Sequence, residues 1–163
     1  MVIIRKAKLR DINMILKSEK DLLNHAVNIV NKYHPKHLID AKLRKDYEDI
    51  LFKYIRGRIY SKNDAVFIAE IKGEVVGHMI VSIKKNFSIF NMKYYGRINT
   101  VFIKEEFRGK GIGSELKKEA LKWFKYKGIF RISLNVDPNN TRAIDVYNNW
   151  GLELYLLEMR ISI

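Results

Sequence analysis

The sequence predicts an α/β fold of the α+β kind, one domain over residues 1–163, and three observations carry that prediction. Apolar stripes of helical period alternate along the chain with strand-like apolar runs. Two of those runs meet at Lys72-Gly73-Glu74, a hairpin signal, and a third stops at a glycine-crowded turn where a helical pattern begins. A chain of 163 residues, 47% of them hydrophobic, can fill one core and needs no second domain.

Taken in order, Val2-Ile3-Ile4-Arg5-Lys6-Ala7 reads as a short edge strand, and Asp11 stands where a helix N-cap belongs. Ile12, Ile15, Leu16, Leu22, Leu23, Ala26, Val27 and Val30 then recur at helical spacing to about Asn31. Tyr33-His34-Pro35-Lys36 breaks that helix, because the residue before a proline is pushed out of helical backbone. Leu38, Leu43, Tyr47, Ile50, Leu51, Tyr54 and Ile55 mark a second helix. The loop residues His34 and His37 are candidates for touching a substrate, or simply surface histidines.

Residues 65–71 and 75–83 are the hairpin strands, so continuously apolar that the sheet should be covered on both faces. Glu70 and His78 interrupt them. A polar group in a strand is usually a satisfied core or edge residue, yet the imidazole of His78 has the chemistry of a base, and both readings stand. Residues 84–93 are a polar and aromatic loop, and a long strand runs from about Tyr94 to Ile103. Leu116, Ala120, Trp123 and Phe124 then repeat at helical spacing between Gly113 and about Lys127, with Gly128 ending the helix. Residues 130–136 read as a strand, and Asp137-Pro138-Asn139-Asn140-Thr141 as a turn into a short helix through Ala143, Ile144 and Tyr147 that Gly151 closes. Residues 152–163 read as one or two terminal strands.

Composition excludes several chemistries. The chain has no cysteine, hence no disulfide, thiolate metal site or cysteine nucleophile, and His25, His34, His37 and His78 show no metal-ligand spacing. No apolar run approaches the roughly 20 residues of a membrane span, and the apolar start is too short for a signal peptide, so the expected compartment is cytoplasmic with no membrane partner. The formal charge of +13 is concentrated: residues 1–60 hold 14 basic and 7 acidic side chains, and residues 108–128 hold 7 and 2. Lys117, Lys118, Lys122 and Lys125 follow the glycine turn, where they either meet the ribose phosphate of a nucleotide cofactor or form a solvated face. No helix or sheet signature of a DNA-binding module carries this charge, which disfavours a nucleic-acid partner.

The glycine turn is Phe107-Arg108-Gly109-Lys110-Gly111-Ile112-Gly113-Ser114. A turn without Cβ atoms lets successive backbone N–H groups converge on one anion, and the helix macrodipole adds to their field. A P-loop needs Gly-Lys followed by Ser or Thr, but Lys110 is followed by Gly111; the dinucleotide fingerprint needs a third glycine where Ser114 stands. The spacing Arg-x-x-Gly-x-Gly at Arg108, Gly111 and Gly113 resembles the coenzyme A signature of the Gcn5-related N-acetyltransferases, the GNAT family. Leu134-Asn135-Val136, with Asn140, Ala143, Tyr147, Gly151 and Leu152 after it, is similar to the family's second coenzyme-binding segment.

The resemblance covers nearly the whole chain and implies a central mixed, twisted β-sheet flanked by helices, the acyl-CoA N-acyltransferase fold, with acetyl-CoA wedged between two splayed strands. It implies that the backbone of Val101, Phe102 and Ile103 pairs with the pantetheine arm like an added strand, and that a backbone N–H there stabilises the thioester oxygen. It implies that Arg108, Gly109, Lys110, Gly111, Ile112, Gly113 and Ser114 wrap the pyrophosphate and that Asn140 bonds the cofactor arm. Tyr147 matches the family tyrosine that protonates the leaving sulfur, or else it is a packing residue of its helix. The implied activity is acetyl transfer from acetyl-CoA to an amine of a protein or small molecule; a non-catalytic coenzyme A sensor or interaction module on the same fold is the alternative. Terminal strands of the family often pair across a dimer, so a homodimer is an expectation.

One position departs from the family pattern. Histone-type members carry a basic glutamate eleven positions before the phosphate motif, and that position here is Arg97, which cannot accept a proton. His78, Glu70, a terminal carboxylate or a water relay remain as bases, and Arg97 suggests an acceptor with a carboxylate or phosphate near its amine.

Overall fold

Strand alternation explains the sheet. In the computed structural model, which describes residues 1–161, the hairpin strands are β2 (Asp64–Ile71) and β3 (Glu74–Lys85). Ala65, Phe67 and Ala69 enter one apolar cluster, whereas Val66 and Ile68 enter another. Successive residues of a strand face opposite ways, so two buried faces demand the continuous apolarity of this segment. With β1 (Ile3–Lys6), β4 (Tyr94–Ile103) and β5 (Ile132–Ser133), they form a mixed five-stranded sheet in the order β1-β2-β3-β4-β5. The first four strands are antiparallel neighbours, and β5 runs parallel to β4.

Helices cover both faces. On one side α1 (Ile12–Tyr33) and α2 (Tyr47–Tyr60) bury Ile12, Ile15 and Ile55 against Val66, Ile68 and Ile80. On the other α3 (Ile112–Tyr126) buries Leu116, Ala120, Trp123 and Phe124 against Phe67, Met79 and Val81. Each isoleucine, leucine or phenylalanine so enclosed contributes about 1.5–3 kcal/mol. The short α4 (Thr141–Asn149) follows β5.

Four details differ from the sequence-based expectation. Asp11 precedes α1 but does not cap it: its carboxylate accepts two hydrogen bonds from Arg5 (2.8 and 2.9 Å) and one from the Lys8 N–H (2.7 Å). A guanidinium is a stronger, charge-assisted donor than a helix N–H. The second helix begins only at Tyr47; residues Pro35–Ala41 wind as 3-10 turns in which His37 leaves helical backbone (φ −107, ψ 15), so Leu38 and Leu43 do not continue one stripe. β5 has two residues instead of the run 130–136, because it pairs with β4 only at Gly96↔Ile132 and Arg97↔Ser133 before the two part. Residues 152–161 form no strand, and Leu154, Tyr155, Leu156, Leu157, Met159 and Ile161 stay exposed. A strand exists by pairing, and this segment pairs with no other strand of the described chain. Residues 162 and 163, part of the same expected strand, lie outside the described residues.

Candidate active site

The parting of β4 from β5 creates the first half of the site. β3 flanks β4 along its length, but beyond Arg97 the other edge of β4 has no strand neighbour among the described residues, which leaves a row of backbone groups for a ligand. The register shifts between Ile80 and Val81: Thr100 faces Ile80, Ile98 faces Val81, and Asn99 is the extra residue of a β-bulge. Val101, Phe102 and Ile103 follow the bulge, opposite Met79, His78 and Gly77. The Ile103 carbonyl accepts a hydrogen bond from Arg108 Nε at 3.0 Å, tying the end of β4 to the turn that follows.

That turn is the second half. Gly109 (φ 75) and Gly111 (φ 77) take left-handed backbone, which glycine adopts without strain. Gly111 occupies the N-cap of α3 with no side chain to satisfy the first helical N–H groups. The Ser114 and Glu115 N–H groups reach back to the Gly111 carbonyl (3.0 and 3.2 Å), which leaves those of Ile112 and Gly113 for an external acceptor. Apart from the adjoining residues, no described atom lies within 4 Å of where a Cβ would sit on Gly109 or Gly111, so the turn is open. Lys110 stands over the Phe107 ring, 5.2 Å from its centroid. Backbone donors, the positive helix end and two nearby cations fit the diphosphate of acetyl-CoA.

Helix α4 closes on this cradle through Trp150. A Cβ on Gly113 would meet the indole at 3.3 Å, so the absence of a side chain at 113 is what admits it. Tyr147 packs edge-on against Trp150, with ring centroids 5.5 Å apart. Burial pushes the Tyr147 hydroxyl above the usual phenol range, so it holds its proton at neutral pH. Asn140 caps α4, its side-chain oxygen accepting from the Ala143 N–H at 3.3 Å; its amide N–H2 is what it can offer a ligand.

The opposite wall comes from the face covered by α1. Arg97 faces that side, since its neighbour Ile98 faces α3, and its guanidinium donates to Ser133 Oγ at 3.2 Å. Ser82 and Asn99 bond each other beside it (2.9 Å). His34, at the end of α1, lies 3.1 Å from Asp137 and 3.1 Å from Asn139 in the turn before α4, so the two walls touch at the rim.

His78 is 0% exposed and touches no open space directly. Its Nε2 lies 2.7 Å from Glu19 Oε1, its Nδ1 lies 3.2 Å from Ser18 Oγ, and its ring stacks on Phe102. Glu70, the other polar residue of the hairpin, accepts from Arg5 at 2.9 Å near the β1 edge, far in strand order from the β4–β5 opening. Glu19 was not singled out by sequence reasoning. The available signal was its place four residues after Ile15 and three before Leu22, a carboxylate on the buried stripe of α1.

The site is that of an acyl-group transferase built on an open strand edge and a glycine turn. The chain belongs to the acetyltransferase (GNAT) family, whose model matches residues 24–152, and it is an N-acetyltransferase. It is 34% identical over 140 residues to an uncharacterized N-acetyltransferase of Archaeoglobus fulgidus, covering 85% of this chain and 91% of that one. It is 28% identical over 157 residues to an N-alpha-acetyltransferase of Sulfurisphaera tokodaii, covering 92% of this chain and 79% of that one. In fold it resembles the crystal structure of a predicted acetyltransferase with acetyl-CoA from Clostridium acetobutylicum, with a TM-score of 0.76, 17% identity and 99% and 96% of the two chains covered. Among the described residues no helix is long and apolar enough to cross a membrane.

Proposed function

We propose that this protein binds acetyl-CoA in the opening between β4 and β5 and passes its acetyl group to the α-amino group of a protein or peptide that carries an acidic side chain near that amine. The observation that carries the cofactor part is the junction of an open β4 edge with a left-handed glycine turn at the start of α3. In this reading the backbone of Val101, Phe102 and Ile103 pairs with the pantetheine arm, residues 108–114 hold the diphosphate, and the Asn140 amide donates to the arm. Acetyl-CoA supplies the activated acetyl group. The protein orients it, and the Tyr147 phenol donates the proton that the departing sulfur needs.

Two observations support the acceptor. The Sulfurisphaera tokodaii relative is an N-alpha-acetyltransferase and aligns over most of both chains. Arg97, half-buried on the α1 face, has a serine partner and no carboxylate in ion-pair range among the described residues, which suits a carboxylate brought by the acceptor.

Isothermal titration with acetyl-CoA and with coenzyme A, on wild type and on Gly111→Asp, tests the cofactor site. Binding in the micromolar range that the variant abolishes supports it. No binding by wild type removes the acetyl-transfer reading.

A further inference from the structure

Resting on that acetyl-transfer reading, we propose that Glu19 of α1 is the general base that takes the proton from the acceptor amine, and that His78 is the positioning residue that holds its carboxylate. No carboxylate lies on β4, whose sequence from Tyr94 to Ile103 contains neither Asp nor Glu. Two carboxylates are buried among the described residues, Asp11 and Glu19. Asp11 is committed to Arg5 by two hydrogen bonds. Among the described residues Glu19 faces no lysine or arginine in ion-pair range, and its one ionisable partner there is His78.

The geometry sets Glu19 at the bulge. Its Oε1 takes the His78 contact at 2.7 Å, and Thr100 Oγ1 donates to its Oε2 at 3.4 Å. Thr100 directly follows the extra residue Asn99 and lies beyond the last β4–β5 pair, so the carboxylate stands over the stretch of β4 whose outer edge is open. Glu19 keeps 7% of its surface exposed while His78 has none, so the carboxylate is the group of this pair that an acceptor can touch.

The hydrogen-bond pattern fixes the roles. A carboxylate oxygen 2.7 Å from Nε2 requires the hydrogen on Nε2. On the other side of the ring Nδ1 lies 3.2 Å from Ser18 Oγ, whose hydroxyl donates to the Met14 and Ile15 carbonyls at 3.1 and 3.0 Å, so the ring is held from both edges. Oε1 is thereby anchored, and Oε2, with only the long Thr100 contact, is the site for a proton. Beside the Glu19–His78 pair stands Tyr54 from α2, whose hydroxyl pKa is raised chiefly by burial, is raised further by the Glu19 and Asp64 charges, and is lowered by Arg58.

The transfer balances. The acceptor ammonium loses one proton to Glu19 Oε2, forming an O–H bond and freeing the nitrogen pair that makes the new N–C bond to the acetyl carbon. The C–S bond breaks with its electron pair on sulfur, which takes the Tyr147 proton. A second nitrogen proton restores Tyr147, and Glu19 returns its own to solvent.

The test compares wild type, Glu19→Gln and His78→Asn with acetyl-CoA and two acceptors: a peptide amine that the wild type acetylates, and hydroxylamine, which is unprotonated at neutral pH and needs no base. For Glu19→Gln we expect unchanged acetyl-CoA affinity, a loss of at least about 100-fold in kcat/KM for the peptide at pH 7, and little loss for hydroxylamine. The deficit should shrink with rising pH, by about tenfold per unit below the α-amine pKa of about 7.7–8.0, and level off above it. His78→Asn should show a smaller loss with the same acceptor and pH dependence. Equal losses on both acceptors, a deficit independent of pH, or no deficit would overturn the role of Glu19. If Glu19→Gln does not fold, Glu19→Asp carries the comparison: it keeps a displaced carboxylate, so its deficit must be larger for the peptide than for hydroxylamine and independent of pH, and equal losses on both acceptors or a deficit that shrinks with pH would count against the proposal. A wild type that binds no acetyl-CoA or acetylates no peptide overturns the acetyl-transfer reading itself, a result distinct from all of these.

Discussion

The Trp150 indole lies against Gly113 so closely that a Cβ there would approach to 3.3 Å, and through this contact the helix carrying Tyr147 is registered on the glycine turn. Two segments that are distant in sequence, the glycine turn and the helix of Tyr147, thus share one packing contact. Gly113→Ala should be roughly neutral, because alanine gains up to about 1 kcal/mol of helix propensity against a small shift of the indole. Gly113→Val adds branching without that gain and should cost about 1–3 kcal/mol in a denaturant titration, with weaker coenzyme A binding.

Tyr147→Phe keeps the edge-on contact with Trp150 and removes only the hydroxyl. If the phenol protonates sulfur, kcat should fall about 100-fold or more with acetyl-CoA affinity and melting temperature little changed. Because burial raises this hydroxyl above its usual range, the wild type should show no loss of activity from its ionisation through mildly alkaline pH. A steady-state pH profile checks both statements.

Arg97→Ala should discriminate between acceptors. Removing a charge-assisted contact worth about 1.5–3 kcal/mol should raise KM about 10- to 100-fold for peptides with an acidic residue beside the amine, and leave neutral peptides nearly unaffected. Equal losses on matched acidic and neutral peptides would exclude recognition of the acidic group by Arg97.

Asp11 joins the start of α1 to β1 through Arg5, whose hydrogen bonds, above all, hold its carboxyl below the usual carboxylate range. A carboxyl with a depressed folded-state pKa stabilises the fold above its unfolded pKa of about 3.9 and loses that contribution as pH falls through the folded value. Asp11→Asn should therefore cost about 2 kcal/mol at neutral pH, and the difference from wild type should shrink below about pH 4. Urea unfolding across that range measures it.

Much of this was legible in the chain. The continuous apolarity of β2 and β3 announced a doubly covered sheet, since alternation puts every second residue on each face. Gly109 and Gly111 announced a left-handed turn at a helix start, since local backbone freedom depends on neighbours in sequence. The spacing of Gly109, Gly111 and Gly113, with Asn140 and Tyr147, also identified the family.

Tertiary structure alone decided the rest. Asp11 has the right residue type for an N-cap, but a guanidinium from the neighbouring strand bids for the same oxygens. The length of β5 depends on how far it stays beside β4, which ends at the Arg97–Ser133 pair, and residues 152–161 have no strand partner within the described chain. Glu19 and His78 are 59 residues apart, and neither carries a local mark of the other. Periodicity reports which face of an element is buried, because burial along one helix or strand repeats with its own geometry. It cannot report which buried polar groups meet across elements, because that depends on how α1 lies over β3 and β4, and so on packing of the whole core.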